Sequence, residues 1–170
     1  VKEGHNFRGW VSDVAVSDNK MPASDVVFTA QWVINDYTIT FDSGTGPNTS
    51  TELKYNETII YPNLLREGYT FVDWEPKPER VPAKDTTVVA QWVINNYTLT
   101  FDYGNETVVS DVLDFSTTIN YPEDMMKRGH TFNGWEPKPE RMPAEDTTVV
   151  AQWTPNNYTV FFDVNGGDKL

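Results

Sequence analysis

The chain has 170 residues, room for one ordinary domain or two to three small ones, and 13 Lys and Arg against 25 Asp and Glu give it a formal net charge of −12. That balance argues against nucleic acid or anionic lipid as a partner, and no apolar run or basic-then-apolar leader suggests membrane insertion or a signal segment here. With no Cys and two His, disulfides, thiol nucleophiles and Cys-ligated zinc are excluded, while an aromatic content of 14% marks a folded chain.

In chain order, the first landmark is Gly4-His5-Asn6-Phe7-Arg8-Gly9-Trp10 and the second is Ala30-Gln31-Trp32. Both return. Gly68-Tyr69-Thr70-Phe71-Val72-Asp73-Trp74 and Gly129-His130-Thr131-Phe132-Asn133-Gly134-Trp135 repeat the first. Ala90-Gln91-Trp92 and Ala151-Gln152-Trp153 repeat the second, with the closing Trp 60 and 61 residues apart. A fixed period of this size is the signature of a repeat protein. Residues 1–32 read as the second half of a repeat module, 37–92 and 97–153 as complete modules, and 158–170 as the first strand of a further one. The joints 33–36, 93–96 and 154–157 are too short for flexible linkers. The loop at 11–20 makes the first copy longer and lacks the Pro-Lys-Pro-Glu-Arg pattern of the later ones.

Within a copy, Tyr97, Leu99 and Phe101 alternate with Thr98 and Thr100, the period of a half-buried strand. Asp102 to Asn105 is a turn, and Thr107 to Phe115 a second strand. Pro122 to Gly129 predicts one or two helical turns, with proline first, acids next, bases last and glycine as the stop. His130 to Trp135 is a third strand, Glu136 to Pro143 an exposed proline-rich loop, and Thr147 to Trp153 the closing strand. The expected fold class is mostly β (α+β), each module running strand, strand, short helix, strand, strand. A module of under 60 residues is close to the lower limit for an independent core. The six Trp fall at two repeated positions and read as the core packing that compensates, since each aromatic can bury about 150–250 Å².

Tyr-Thr-x-Thr-Phe-Asp, then Gly-Tyr-Thr-Phe-x-x-Trp, then Asp-Thr-Thr-Val-x-Ala-Gln-Trp, in units of this length, resembles the Listeria–Bacteroides repeat, also called the internalin B-repeat. The resemblance implies tandem β-grasp-like modules on extracellular, secreted or cell-surface attached proteins, serving as stalks, spacers and adhesion segments. It brings no catalytic residue, no cofactor and no metal site.

The residues add little chemistry. His5 and His130 stand where the middle copy has Tyr69, which makes this a packing position. Asp42, Asp102 and Asp163 end the first strand, and Asp25, Asp85 and Asp146 precede the last. None lies in a spaced acidic loop of the kind calcium needs, so they read as aspartates bonding turn backbone. Asn48, Asn56, Asn96, Asn105 and Asn157 open glycosylation sequons, to be used in a eukaryotic secretory host and plain turn residues in a bacterial one.

Two function classes follow. The first is a non-enzymatic structural or adhesive repeat segment, whose partners are neighbouring copies of itself or adjoining modules of a longer chain. In its sharper form Tyr158, Val160 and Phe162 add as an assembly strand to another molecule, head to tail. In its plainer form the residues are an excerpt of a longer array. The second class is a carbohydrate- or protein-binding adhesin module, meeting a host-surface protein or glycan through exposed aromatics and the 11–20 loop.

Overall fold

The computed structural model describes residues 1–16, 20, 22–104, 108–163 and 165–167. The chain divides into two compact units, Val1–Arg66 with Thr70–Val93, and Glu67–Tyr69 with Ile94–Leu170. The first unit opens with an antiparallel pair, β1 (His5–Ser12) and β2 (Phe28–Ile34). A four-stranded sheet follows, formed by β3 (Asp36–Asp42), β4 (Thr49–Lys54), β5 (Tyr69–Glu75) and β6 (Thr86–Ile94) in the order β4-β3-β6-β5. The second unit repeats it with β7 (Asn96–Asp102), β8 (Val108–Asp114), β9 (His130–Glu136) and β10 (Thr147–Pro155) in the order β8-β7-β10-β9. In each sheet the central pair is parallel, Ile39 opposite Thr86 and Leu99 opposite Thr147, and the flanking hairpin β3–β4 or β7–β8 is antiparallel.

The alternation read in the first strand of each copy places its apolar residues inward. Ile39 and Phe41 are buried on β3, Leu99 and Phe101 on β7, and the intervening threonines are half-buried. Each core then repeats the other: Ile59 and Ile119, Trp74 and Trp135, Val81 and Met142, Val88 and Val149, Ala90 and Ala151. Trp74 is 2% exposed and Trp135 4%. Phe41 and Phe101 meet these indoles edge-on at 5.3 Å and 5.1 Å, the favoured geometry for aromatic pairs.

The short helix is not there. Among the described residues the structure is all-β, which corrects the strand–strand–short helix–strand–strand, α+β expectation and removes the element a β-grasp-like module requires. Between Tyr121 and His130 the chain is extended and turned instead. The carbonyl that would accept the first helical bond is taken: Trp135 Nε1 donates to Pro122 O at 2.9 Å, and Trp74 Nε1 to Pro62 O at 3.2 Å. A segment this short does not repay helix nucleation, whereas laying it flat packs Met125 or Leu64 on the core. The bases at its end serve another purpose, Lys127 lying over the Trp153 ring and Arg66 over that of Trp92.

The proline-rich loop is likewise more than an exposed connection. Val81 and Met142, at its end, are 1% exposed, and Val81 N donates to Glu57 O as Met142 N does to Thr117 O. The loop is a lid that seals the open side of each core.

Candidate functional site

Three surfaces are built from repeated residues. The first is a groove beside the proline-rich loop. In the first unit Tyr61 OH donates to Pro78 O at 2.8 Å, and the Lys77 ammonium lies 5.6 Å from the centre of the Tyr61 ring while bonding Asp73 at 2.6 Å. In the second unit Tyr121 OH donates to Pro139 O at 2.9 Å, with Lys138 5.3 Å from the ring. The grooves hold about 480 Å³ and 500 Å³ and are flanked by Arg80 and Arg141. Burial raises both phenols above the usual tyrosine range, with the Asp73 carboxylate adding to the effect at Tyr61. Asp73 itself is held below the usual carboxylate range by the Lys77 hydrogen bond and then by the Trp74 N–H. A cationic tip over an aromatic face, rimmed by guanidinium, is a surface for acidic or hydroxyl-rich groups.

The second surface is the open face of β1–β2. Phe7 meets Trp10 at 5.5 Å and Trp32 at 5.4 Å, the triad that Phe71 forms with Trp74 and Trp92 and Phe132 with Trp135 and Trp153. In the complete copies this face packs against the segment after the second strand and the proline-rich loop, through Ile59 and Val81 or Ile119 and Met142. On β1–β2 it lies open, with Trp10 63% and Phe7 50% exposed around a cavity of about 520 Å³.

The third is the point where one copy hands over to the next. Asn35 alone separates β2 from β3 and Asn95 alone separates β6 from β7, so the strands run through most of the expected joints. Asn35 N donates to Gly4 O and Asn35 O accepts from Tyr55 N, both at 2.9 Å. Asn95 N donates to Gly68 O at 2.9 Å and Asn95 O accepts from Phe115 N at 2.8 Å.

The sequence-predicted residues are placed as follows. Asp42, Asp102 and Asp163 bond turn backbone two residues on, at Gly44, Gly104 and Asn165. Asp85 and Asp146 reach instead to the first strand, accepting from Thr38 N at 2.8 Å and Thr98 N at 2.7 Å. Among the described residues no three His, Asp or Glu side chains come together to hold a metal. His5 stands edge-on to Tyr55 at 6.0 Å. Asn48, Asn56, Asn96 and Asn157 are exposed, Asn56 in a left-handed turn and Asn96 at the start of β7, while Asn105 lies outside the described residues. Tyr158, Val160 and Phe162 are exposed, and among the described residues they pair with no strand. Of the 11–20 loop, Asp13 closes the base by bonds to and from Val27, and Ser17, Asp18 and Asn19 lie outside the described residues. The Lys–Tyr groove and the glycine–aromatic hand-over were missed. Their signals in the sequence are the repeated Pro-Lys-Pro and the glycine repeated as Gly4, Gly68 and Gly129.

Small sheets of one design, sharing a core residue by residue, define a tandem β-repeat protein. The chain belongs to the Listeria-Bacteroides repeat family, whose repeat domain matches residues 37–91 and 97–152. It is 31% identical over 198 residues to a protein of Evansella cellulosilytica named as a Gly-rich membrane protein, a match covering 99% of this chain and 23% of that protein. It is also 31% identical over 165 residues to internalin H of Listeria monocytogenes, covering 85% of this chain and 29% of internalin H. Among solved structures it is similar to streptococcal SHIRT domains 3-4 from a cell surface protein, with 21% identity and a TM-score of 0.26 over 70% of this chain and 99% of that one. The chain thus spans under a third of the length of the curated relatives it matches.

Proposed function

We propose that this segment is a structural spacer of a cell-surface protein, repeated in series to hold a more distal part away from its anchor. The observation that carries the reading is the Asn35 hand-over. One residue connects β2 to the next copy, and both its backbone groups are bonded, leaving no flexible linker between β2 and β3. Membership of the Listeria-Bacteroides repeat family supports it, as do a relative named for a membrane and another named an internalin. The reading is tested on glycan and matrix-protein arrays with the 170-residue chain and the Trp10→Ala and Lys77→Ala/Lys138→Ala variants. A spacer gives no saturable binding. Saturable binding abolished by either variant would replace it with the adhesin reading, which the open Phe7–Trp10–Trp32 face favours.

Assembly between molecules is the sharper form of the same role. The β2 edge corresponds to the edge of β6 that pairs with β3, and Tyr158 to Asp163 carries the β3 pattern. Strand addition there would be heterologous and would grow a filament. A parent chain supplying the preceding strands would occupy the same edge in cis. Light scattering over a concentration series, on the 170-residue chain and on one ending at Asn157, separates the two. Growth that requires residues 158–170 supports assembly, and a monomer in both forms rejects it.

A further inference from the structure

Gly4, Gly68 and Gly129 hold one position in the repeat, and all are left-handed, with φ of +65°, +72° and +74°. At the first two, an aromatic ring takes the place of a side chain. A Cβ on Gly4 would lie 2.1 Å from Tyr55 Cγ, and one on Gly68 2.1 Å from Phe115 Cγ. The next residue stands edge-on to that ring, His5 to Tyr55 and Tyr69 to Phe115, each at 6.0 Å. The ring residue comes directly after the second strand of its copy, and its N–H is the one bonded to the hand-over asparagine.

At the third position the frame is built and no ring of the described residues lies on the glycine. Asn156 N donates to Gly129 O at 2.8 Å, as Asn35 does to Gly4. His130 Nδ1 lies 3.0 Å from Arg128 O, and His5 Nδ1 lies 2.7 Å from Glu3 O, so the two imidazoles are held alike. Among the described residues no atom comes within 4 Å of where a Gly129 Cβ would stand, and Gly129 is half-buried where Gly4 and Gly68 are buried.

We propose that Gly129 and His130 form a socket for a single aromatic ring. Its occupant is the Phe or Tyr that ends the second strand of the repeat module opened by Tyr158. The ring lies flat on the Gly129 Cα, His130 meets its face edge-on, and its backbone N–H donates to Asn156 O. The missing Cβ at Gly129 is therefore a recognition feature, and a following module without an aromatic at that place is not seated. The socket depends on the repeat register alone and would stand if the chain proved to be an adhesin.

The test replaces residues 158–170 with a second copy of 97–153, which places a copy of Phe115 at the socket. A ring on a glycine Cα moves its Hα signals upfield in proton NMR. In the 170-residue chain this shift is expected at Gly4 and Gly68 and not at Gly129. In the extended chain Gly129 joins them, and replacing the appended Phe by Ala returns it to its first position. The indole N–H signals of the appended Trp report whether the added copy has folded, and a copy of 37–93 serves as the alternative graft. A folded graft that leaves Gly129 unmoved overturns the proposal, and so does failure of both grafts to fold there. Saturable glycan binding would change the spacer role and leave these signals as they are.

Discussion

The same residue type does opposite work at equivalent places. Trp74 and Trp10 share a position in the repeat, yet one is 2% exposed and the other 63%. Trp74→Ala is expected to destabilise its copy by about 3–5 kcal/mol, and Trp10→Ala to stay within about 0.5 kcal/mol, measured by chemical denaturation. The Trp positions were legible from their spacing, and the core reading holds for Trp74 and Trp135. It does not hold for Trp10, which is exposed, because the equivalent indoles are buried by Phe41 and Tyr61 or Phe101 and Tyr121, contributed by other parts of a complete copy. Asp73 offers a charge test. Its folded value lies below its unfolded one, chiefly through Lys77, so its contribution is complete above the unfolded value and disappears as pH falls through the folded one. Carboxylate NMR should show Asp73 titrating below an unfolded control peptide, and Lys77→Ala should move it up.

At the level of elements, strands were legible and the helix was not. Tyr97 to Asp102 declared itself through strict alternation, a pattern that survives because one face of β7 is buried. Pro122 to Gly129 carried every local sign of a helix, and tertiary bonding overrode them through an indole that claims the Pro122 carbonyl. The signs had another origin: Lys127 is there for the Trp153 ring, and Gly129 for the socket. Gly68→Ala and Gly129→Ala separate these roles. Both impose a left-handed alanine, a penalty of about 1–2 kcal/mol. Only Gly68→Ala must also displace a ring, so its melting temperature is expected to fall further than that of Gly129→Ala in the 170-residue chain.

For the molecule, the period of the repeat was the most legible property, since three pairs of landmarks return in register. What each copy touches was not legible, because the Lys–Tyr groove joins residues 16 or 17 positions apart that only the folded loop brings together. The single-residue hand-over was also invisible: the four-residue joints read as short connections between landmarks, and most of their residues continue the strands. That feature bears on survival outside a cell. A protease must draw several residues of extended backbone into its cleft, and Asn35 and Asn95 have both main-chain groups already engaged. Limited digestion of the folded chain should therefore leave the peptide bonds at Asn35 and Asn95 intact while cutting elsewhere, mapped by mass spectrometry of the fragments. An array joined this way would wear from its loops and endure at its seams.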